Sequence, residues 1–278
     1  MSETTIRFDY HSHHWRCGHA RGEMRDYIES AVVAGMVEFG VSDHGPAYFL
    51  EGDHPKPSTQ MGLGELPYYF AQACALREEY RDRITVKVGV EADFVPGCEE
   101  ALARLLDAHA FDYVLGSVHY SLGRNVFDRG RWAEESADAV YRDYYKQIGQ
   151  AADSGLFDTL SHLTVVEAFG PPIRPALAAE LYPRVADAVA ASGCLVEVNT
   201  SGYRKMGGDD PFPNRKMLSL LIERGVPLTF GSDCHKPEEV GFGRDRVLAT
   251  LRALGVTADP APVQTRRGTL MAFSTGGG

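Results

Sequence analysis

The chain has 278 residues and a net charge of −10, enough length to bury one sizeable core. No apolar run is long enough to span a membrane, and the N-terminal MSETTIRFDYH lacks the basic and apolar stretches of a secretory signal; a cytoplasmic location with no membrane partner is expected. The acidic balance argues against a phosphate-backbone binder, so no nucleic-acid partner is expected, while a small phosphorylated substrate met by a few local arginines stays open.

Seven β-like runs alternate with amphipathic helix-like runs. Strand 5–10 leads to a helix over 24–36, strand 37–42 to a long connection (45–64) and a helix over 65–80, and strand 84–92 to a helix over 98–110. Strand 113–119 is followed by a second long connection (120–135) and a helix over 139–152. Strands 159–163, 194–200 and 227–232 then alternate with helices over 176–192, 214–225 and 245–255. Gly35, Gly155, Gly193, Gly225 and Gly255 fall where helix C-caps belong. Such alternation predicts a parallel α/β sheet, and seven repeats predict a closed or nearly closed, TIM-barrel-like single domain over 1–273, with a disordered tail at 274–278. The two long connections are candidate lids. Five scattered cysteines, with no CxxC pair, read as reduced thiols.

Seven of the ten histidines collect at one end of this pattern. His11 and His13 follow the first strand, with His19 just beyond. His44 follows the second, His119 ends the fourth, His162 lies near the end of the fifth, and His235 follows the seventh. Glu91 ends the third and Asp233 follows the seventh. All fall at strand C-termini, the face on which barrel enzymes build their sites. Singly, each has an ordinary alternative: a hydrogen-bonded core histidine, an exposed strand-end acid, a turn aspartate. Together they point to metal. Imidazole and carboxylate without thiolate suit zinc, iron or manganese. Nine ligands sharing one carboxylate suit two or three divalent ions, the kind of cluster that hydrolyses phosphate esters. His14 should face away from its neighbour His13 along an extended segment. Cys17 and Cys234 read as packing residues, His109 as structural and His54 as a solvated loop residue.

With YHSHHWRCGHA, GVSDHGP, GVEADFVPG, DYVLGSVHY, SHL, VNTSGYRK and GSDCHKPEEVG in this order, the chain resembles the PHP (polymerase and histidinol phosphatase) family, and within it the histidinol-phosphate phosphatase branch. The resemblance implies a distorted (β/α)7 barrel with the metal site at the C-terminal ends of the strands. It implies that His11, His13, Glu91 and Asp233 hold one ion, that Glu91 bridges to a second completed by His119 and His162, and that His19, His44 and His235 hold a third. It also implies a metal-dependent phosphomonoesterase that hydrolyses L-histidinol phosphate, in histidine biosynthesis, by a hydroxide bridging two ions. A different small phosphate monoester, or a polymerase-associated or structural metal-binding module, are the alternatives.

The catalytic set read from this resemblance is Glu91, Asp233, His235 and Asp43, the last either a proton donor to the leaving group or an orienting partner of a metal-bound histidine. The substrate contacts are Arg204, the branch's phosphate-binding arginine, with Lys205 beside it and Arg16. One departure stands out. A basic residue commonly follows the strand-five histidine in this branch, whereas SHLTVVEAFG offers Glu167, leaving Arg16, Arg124, Arg129 or Arg174 to substitute.

Overall fold

Apolar residues at helical spacing alternate with short β-branched runs, and in the computed structural model, which describes residues 6–263, they fold as that alternation predicts. The chain runs β1 (Phe8–Asp9), α1 (Met24–Val33), β2 (Glu38–Val41), α2 (Leu66–Tyr80), β3 (Thr85–Asp93), α3 (Glu99–Asp107) and β4 (Tyr113–Ser117). An antiparallel hairpin, β5 (Tyr120–Ser121) with β6 (Arg124–Asn125), and a short helix, α4 (Arg131–Glu134), interrupt the alternation. It resumes with α5 (Ala137–Asp153), β7 (Thr159–Leu160), α6 (Pro175–Ser192), β8 (Leu195–Asn199), α7 (Ser201–Lys205), α8 (Arg215–Glu223), β9 (Leu228–Gly231) and α9 (Arg244–Ala253). Apart from the hairpin, neighbouring strands are parallel in the order β1-β2-β3-β4-β7-β8-β9. The five expected C-cap glycines all adopt left-handed φ, from 70° to 83°.

Helix faces pack on the sheet as their periodicity dictates. α5 buries Val140, Tyr144, Ile148 and Ala151 at i, i+4, i+8 and i+11; truncating Ile148 to Ala would cost about 2–5 kcal/mol. Inside the barrel, Tyr113 of β4 fills the centre and its hydroxyl donates to the Tyr10 carbonyl at 2.7 Å. The neighbouring strands make room with Gly89 and Gly40, where a Cβ would stand 2.4 Å from the ring and 2.1 Å from the hydroxyl.

The sheet closes between β1 and β9, chiefly beyond their ends. Tyr10 N donates to Phe230 O at 3.4 Å, His13 N to Cys234 O at 2.9 Å, and Cys234 N to His11 O at 3.3 Å. The barrel is thus drawn shut at the end that carries the histidines. Two strands are much shorter than expected, β1 within 5–10 and β7 within 159–163, and side chains serve as backbone partners just beyond each. Ser42 Oγ accepts from Ser12 N at 3.0 Å, and Glu197 Oε2 accepts from His162 N at 3.2 Å. The second long connection folds as the hairpin and α4 around fully buried Arg131, whose guanidinium donates to the Ser121 carbonyl at 2.9 Å and to Glu135 at 2.6 Å. Among the described residues no helix is long and apolar enough to cross a membrane. The tail at 274–278 lies outside the described residues.

Candidate metal centre

Alternation along an extended chain sets Asp9, His11 and His13 on one side of β1 and its continuation, and Gly89, Glu91 and Asp93 on one side of β3. At the closed end of the barrel the other eight expected ligands gather with Glu91, whose two oxygens face different histidines. Oε2 lies 3.4 Å from His11 Nε2 and 3.6 Å from His13 Nε2; Asp233 Oδ1 is 3.2 Å from His13 Nε2 and 3.9 Å from His11 Nε2. Oε1 faces His162 Nε2 at 3.0 Å and His119 Nε2 at 3.6 Å, and these two nitrogens are 3.3 Å apart. His44 Nδ1 approaches Oε2 at 2.7 Å. His19 Nε2 and His235 Nε2 are 2.9 Å apart, with the His44 ring 5.2 Å from that of His19. Two of these residues, His162 and Asp233, hold left-handed backbone at φ 24° and 53°, strain of a kind that clusters at functional sites.

The donor set fits divalent cations. Among the described residues His11 Nε2 and His13 Nε2 are buried with no hydrogen-bond partner, a costly arrangement unless a cation answers them. Burial alone would lower the His11 pKa, but the carboxylates of Glu197, Glu91 and Asp233 outweigh it and lift it well above the ordinary value. Burial would likewise raise the Glu91 carboxyl, yet His44, His11 and His119 hold it well below the carboxylate range. In the outer trio, burial and like-charged neighbours lower all three imidazoles, His19 to about 4, which favours the neutral, ligating form. Cys17 also lies within ligating reach of His13 and Asp43. Its Sγ donates to the His14 carbonyl at 3.1 Å, and burial pushes its thiol up, so it stays protonated.

Behind the ligands stands a layer of carboxylates. Glu197 Oε1 accepts from His11 Nδ1 at 2.7 Å, Asp43 Oδ1 from His13 Nδ1 at 3.3 Å, and Asp93 Oδ1 from His119 Nδ1 at 2.8 Å. Each turns Nε2 toward Glu91, where it can ligate once that nitrogen gives up its proton. Asp43 Oδ1 also accepts from His44 N at 2.9 Å, its Oδ2 accepts from His14 Nδ1, and, against the effect of burial, His14 and His13 hold it well below the usual range. With both oxygens accepting hydrogen bonds, Asp43 is placed as the orienting partner of a histidine. His14 turns to Asp43 and packs edge-on to Tyr69.

Of the expected substrate contacts, Lys205 reaches furthest into the cluster, with Nζ 2.9 Å from Asp233 Oδ2 and 5.5 Å from the Phe127 ring centroid. Arg204 Nη2 donates at 3.0 Å to the carbonyls of both Ser232 and Asp233, and its buried Nη1 has no acceptor among the described residues. Arg16 is turned instead to α2: its guanidinium donates to Gln72 at 3.1 Å and stacks on Trp15. Arg124 pairs with Asp128, Glu134 and Glu135, and Arg174 with Asp138, so neither is free to replace a missing basic residue; Arg129 stacks on Phe169. Glu167 does not face the cluster. It accepts from the Tyr145 and Tyr182 hydroxyls and from Asn214 Nδ2. His54 bonds the Gln60 carbonyl within its loop, and half-buried His109 packs between Phe70 and Phe111.

Both long connections border the cleft above the donors. Thr59 and Gln60 come from the first and Tyr120, Asn125 and Phe127 from the second, beside His19, His44, Asp93 and His119. Sequence reasoning missed Glu197, Asp93 and Asp9. Asp9 is buried and accepts from the backbone of His11, Ser232 and Gly241, pinning the closure. A signal existed: an acid inside the apolar run CLVEVNT, on a strand expected to be buried, needs a partner.

Comparison with known proteins matches this arrangement. The PHP domain profile covers residues 9–201, and a PHP-associated profile covers 211–251. A Deinococcus radiodurans protein named "Probable histidinol-phosphatase" is 37% identical over 251 residues, spanning 89% of this chain and 93% of its own. The Bacillus subtilis "Histidinol-phosphatase" is 26% identical over 86% of this chain and 97% of its own. The crystal structure of the Lactococcus lactis histidinol phosphate phosphatase, complexed with zinc, L-histidinol and phosphate, superposes with a TM-score of 0.78 over 94% of this chain and 98% of its own. At 20% identity that last likeness is one of fold.

Proposed function

The chain belongs to the PHP domain family, and from that premise we propose that it is a metal-dependent phosphomonoesterase that hydrolyses L-histidinol phosphate to L-histidinol and inorganic phosphate. The observation that carries this is the Glu91 carboxylate, whose two oxygens each face a separate set of buried imidazoles. Such a bridge suits adjacent divalent ions rather than one. His11, His13, Glu91 and Asp233 would hold the first, Glu91, His119 and His162 the second, and His19, His44 and His235 a third, drawn from zinc, iron and manganese. Bound there, such ions would supply hydroxide from water at neutral pH and offset charge on the phosphoryl oxygens.

The chain's own residues do the rest. Asp43, Glu197 and Asp93 fix the histidine tautomers. Lys205 and Arg204, adjacent on α7, bring positive charge to the non-bridging phosphoryl oxygens, where charge builds in the transition state. Lys205 thereby fills the role left open by Glu167. Gln60 donates to Asp93 at 2.7 Å and keeps an Oε1 with no protein donor, an acceptor for an N–H of the leaving amino alcohol. The test is a panel of phosphate monoesters assayed on metal-loaded protein. Histidinol phosphate should exceed a generic aryl phosphate in kcat/KM by at least about 100-fold, a modest part of the roughly 10⁴–10⁵-fold that a site built on hydrogen bonds can supply. A flat profile, or a preference for another monoester, overturns the assignment.

A further inference from the structure

We propose that Glu197 is a positioning residue that couples the two ligand sets around Glu91, so that losing it loosens both metal positions at once; this rests on the metal-centre reading above. Glu197 sits on β8 between buried Val196 and Val198 and is itself 1% exposed. Its oxygens part in two directions. Oε1 accepts from His11 Nδ1 at 2.7 Å, and Oε2 accepts from the His162 backbone N–H at 3.2 Å and from Asn199 Nδ2 at 2.8 Å. His11 belongs to the set on Glu91 Oε2, and His162 to the set on Oε1. Glu91 therefore joins the two sets from the metal side, and Glu197 joins the same two from behind. The other backing carboxylates differ. Asp93 bonds one ligand of one set, and Asp43 bonds the His13 side chain and the His44 backbone N–H, so it ties the first set to the outer trio and not to the set on Oε1.

The neighbouring strand is shaped for this carboxylate. A Cβ on Gly231 of β9 would stand 1.7 Å from Glu197 Oε1 and 2.7 Å from the His11 Cβ. Only a residue without a side chain leaves the space. The His162 N–H that Glu197 accepts also belongs to the residue held at φ 24°, so the same carboxylate secures a strained ligand backbone.

The test compares Glu197→Gln, which keeps the shape and drops the charge, with Asp93→Asn. Each protein is loaded with zinc, dialysed against graded chelator buffers and measured for metal per chain, and the melting temperature is recorded metal-free and loaded. Glu197→Gln should release the two ions around Glu91 together, at roughly 10–100-fold weaker affinity, the usual effect of an outer partner, and its gain in Tm on loading should shrink. Asp93→Asn should weaken one ion. Gly231→Ala, which displaces the carboxylate without altering its charge, should reproduce the Glu197→Gln profile. The proposal is overturned if Glu197→Gln weakens one ion only, or lowers metal-free and loaded Tm equally with affinity unchanged. Because metal is read directly, failure of this coupling is distinct from failure to hydrolyse histidinol phosphate.

Discussion

Glu91 is a buried carboxylate and Glu167 a half-buried one, both near the end of the barrel, and their surroundings send them to opposite fates. Around Glu91 stand imidazole nitrogens that carry the centre's unmatched acceptor atoms, and the carboxylate is held well below its ordinary pKa. Around Glu167 stand two tyrosine hydroxyls and an amide, all donors, in a setting whose burial raises its pKa. The Ser117 hydroxyl donates to Glu91 in the first environment, yet buried imidazole nitrogens beside it stay unanswered and call for cations; the second is complete without them. A carboxylate's role thus follows from which partners already satisfy it, more than from its burial.

Exchanging charge for amide at the two positions gives the sharpest contrast. Glu91→Gln should lose metal from both adjoining sets and lower kcat by at least about 10²–10³-fold, the size of losing one preorganised electrostatic group; full turnover in a folded, metal-depleted variant would break the comparison. The next effect in size separates two adjacent histidines. His13→Ala should lose metal, while His14→Ala, whose contacts are Asp43 and Tyr69, should keep its full complement in elemental analysis and weaken affinity by no more than about 10-fold, the low end for an outer partner. Equal metal loss in both would mean that His14 is a ligand. Smaller again is Glu167→Leu. It strands the hydroxyls of Tyr145 and Tyr182 and the Asn214 amide, at a cost of about 1–3 kcal/mol in urea unfolding with metal content unchanged.

The cluster of histidines around Glu91 was legible in the sequence because two local rules suffice for it. Strand–helix alternation locates the C-terminal ends, and the period of two sorts His13 from His14. The backing layer obeys no local rule. His11 and Glu197 lie 186 residues apart, and their contact exists only once β1 and β9 close the barrel beside β8. Asp93 was closer to legible, since it shares a strand face with Glu91 two residues earlier. Glu167 was legible as an anomaly and not as an answer. Its tyrosine partners sit on α5 and α6, and only helix packing brings them together. At the end of β7 the acceptor for the His162 N–H is likewise a distant side chain, that of Glu197 on β8, which no local pattern announces.

The smallest expected effect tests the comparison most directly, because it asks for the sign of a pKa shift. Burial raises the folded-state pKa of Glu167 above the ordinary 4.5, and the hydroxyls of Tyr145 and Tyr182 and the Asn214 amide offset that only in part. A carboxyl that binds its proton more tightly when folded contributes fully below the unfolded pKa, and that contribution fades as pH rises through the folded one. Stability measured as wild type minus Glu167→Gln should therefore be most favourable in acid and fall from about pH 4.5 upward until the folded carboxyl has ionised. The imidazoles of the metal centre titrate in the same range, but they are shared by both proteins and cancel in the difference. Urea midpoints across pH 4–8 on metal-free protein would read it. A difference that instead grows with pH would mean that the donors around Glu167 outweigh its burial and hold it ionised as Glu91 is held, leaving the two sites distinguished only by which positive partner keeps the charge.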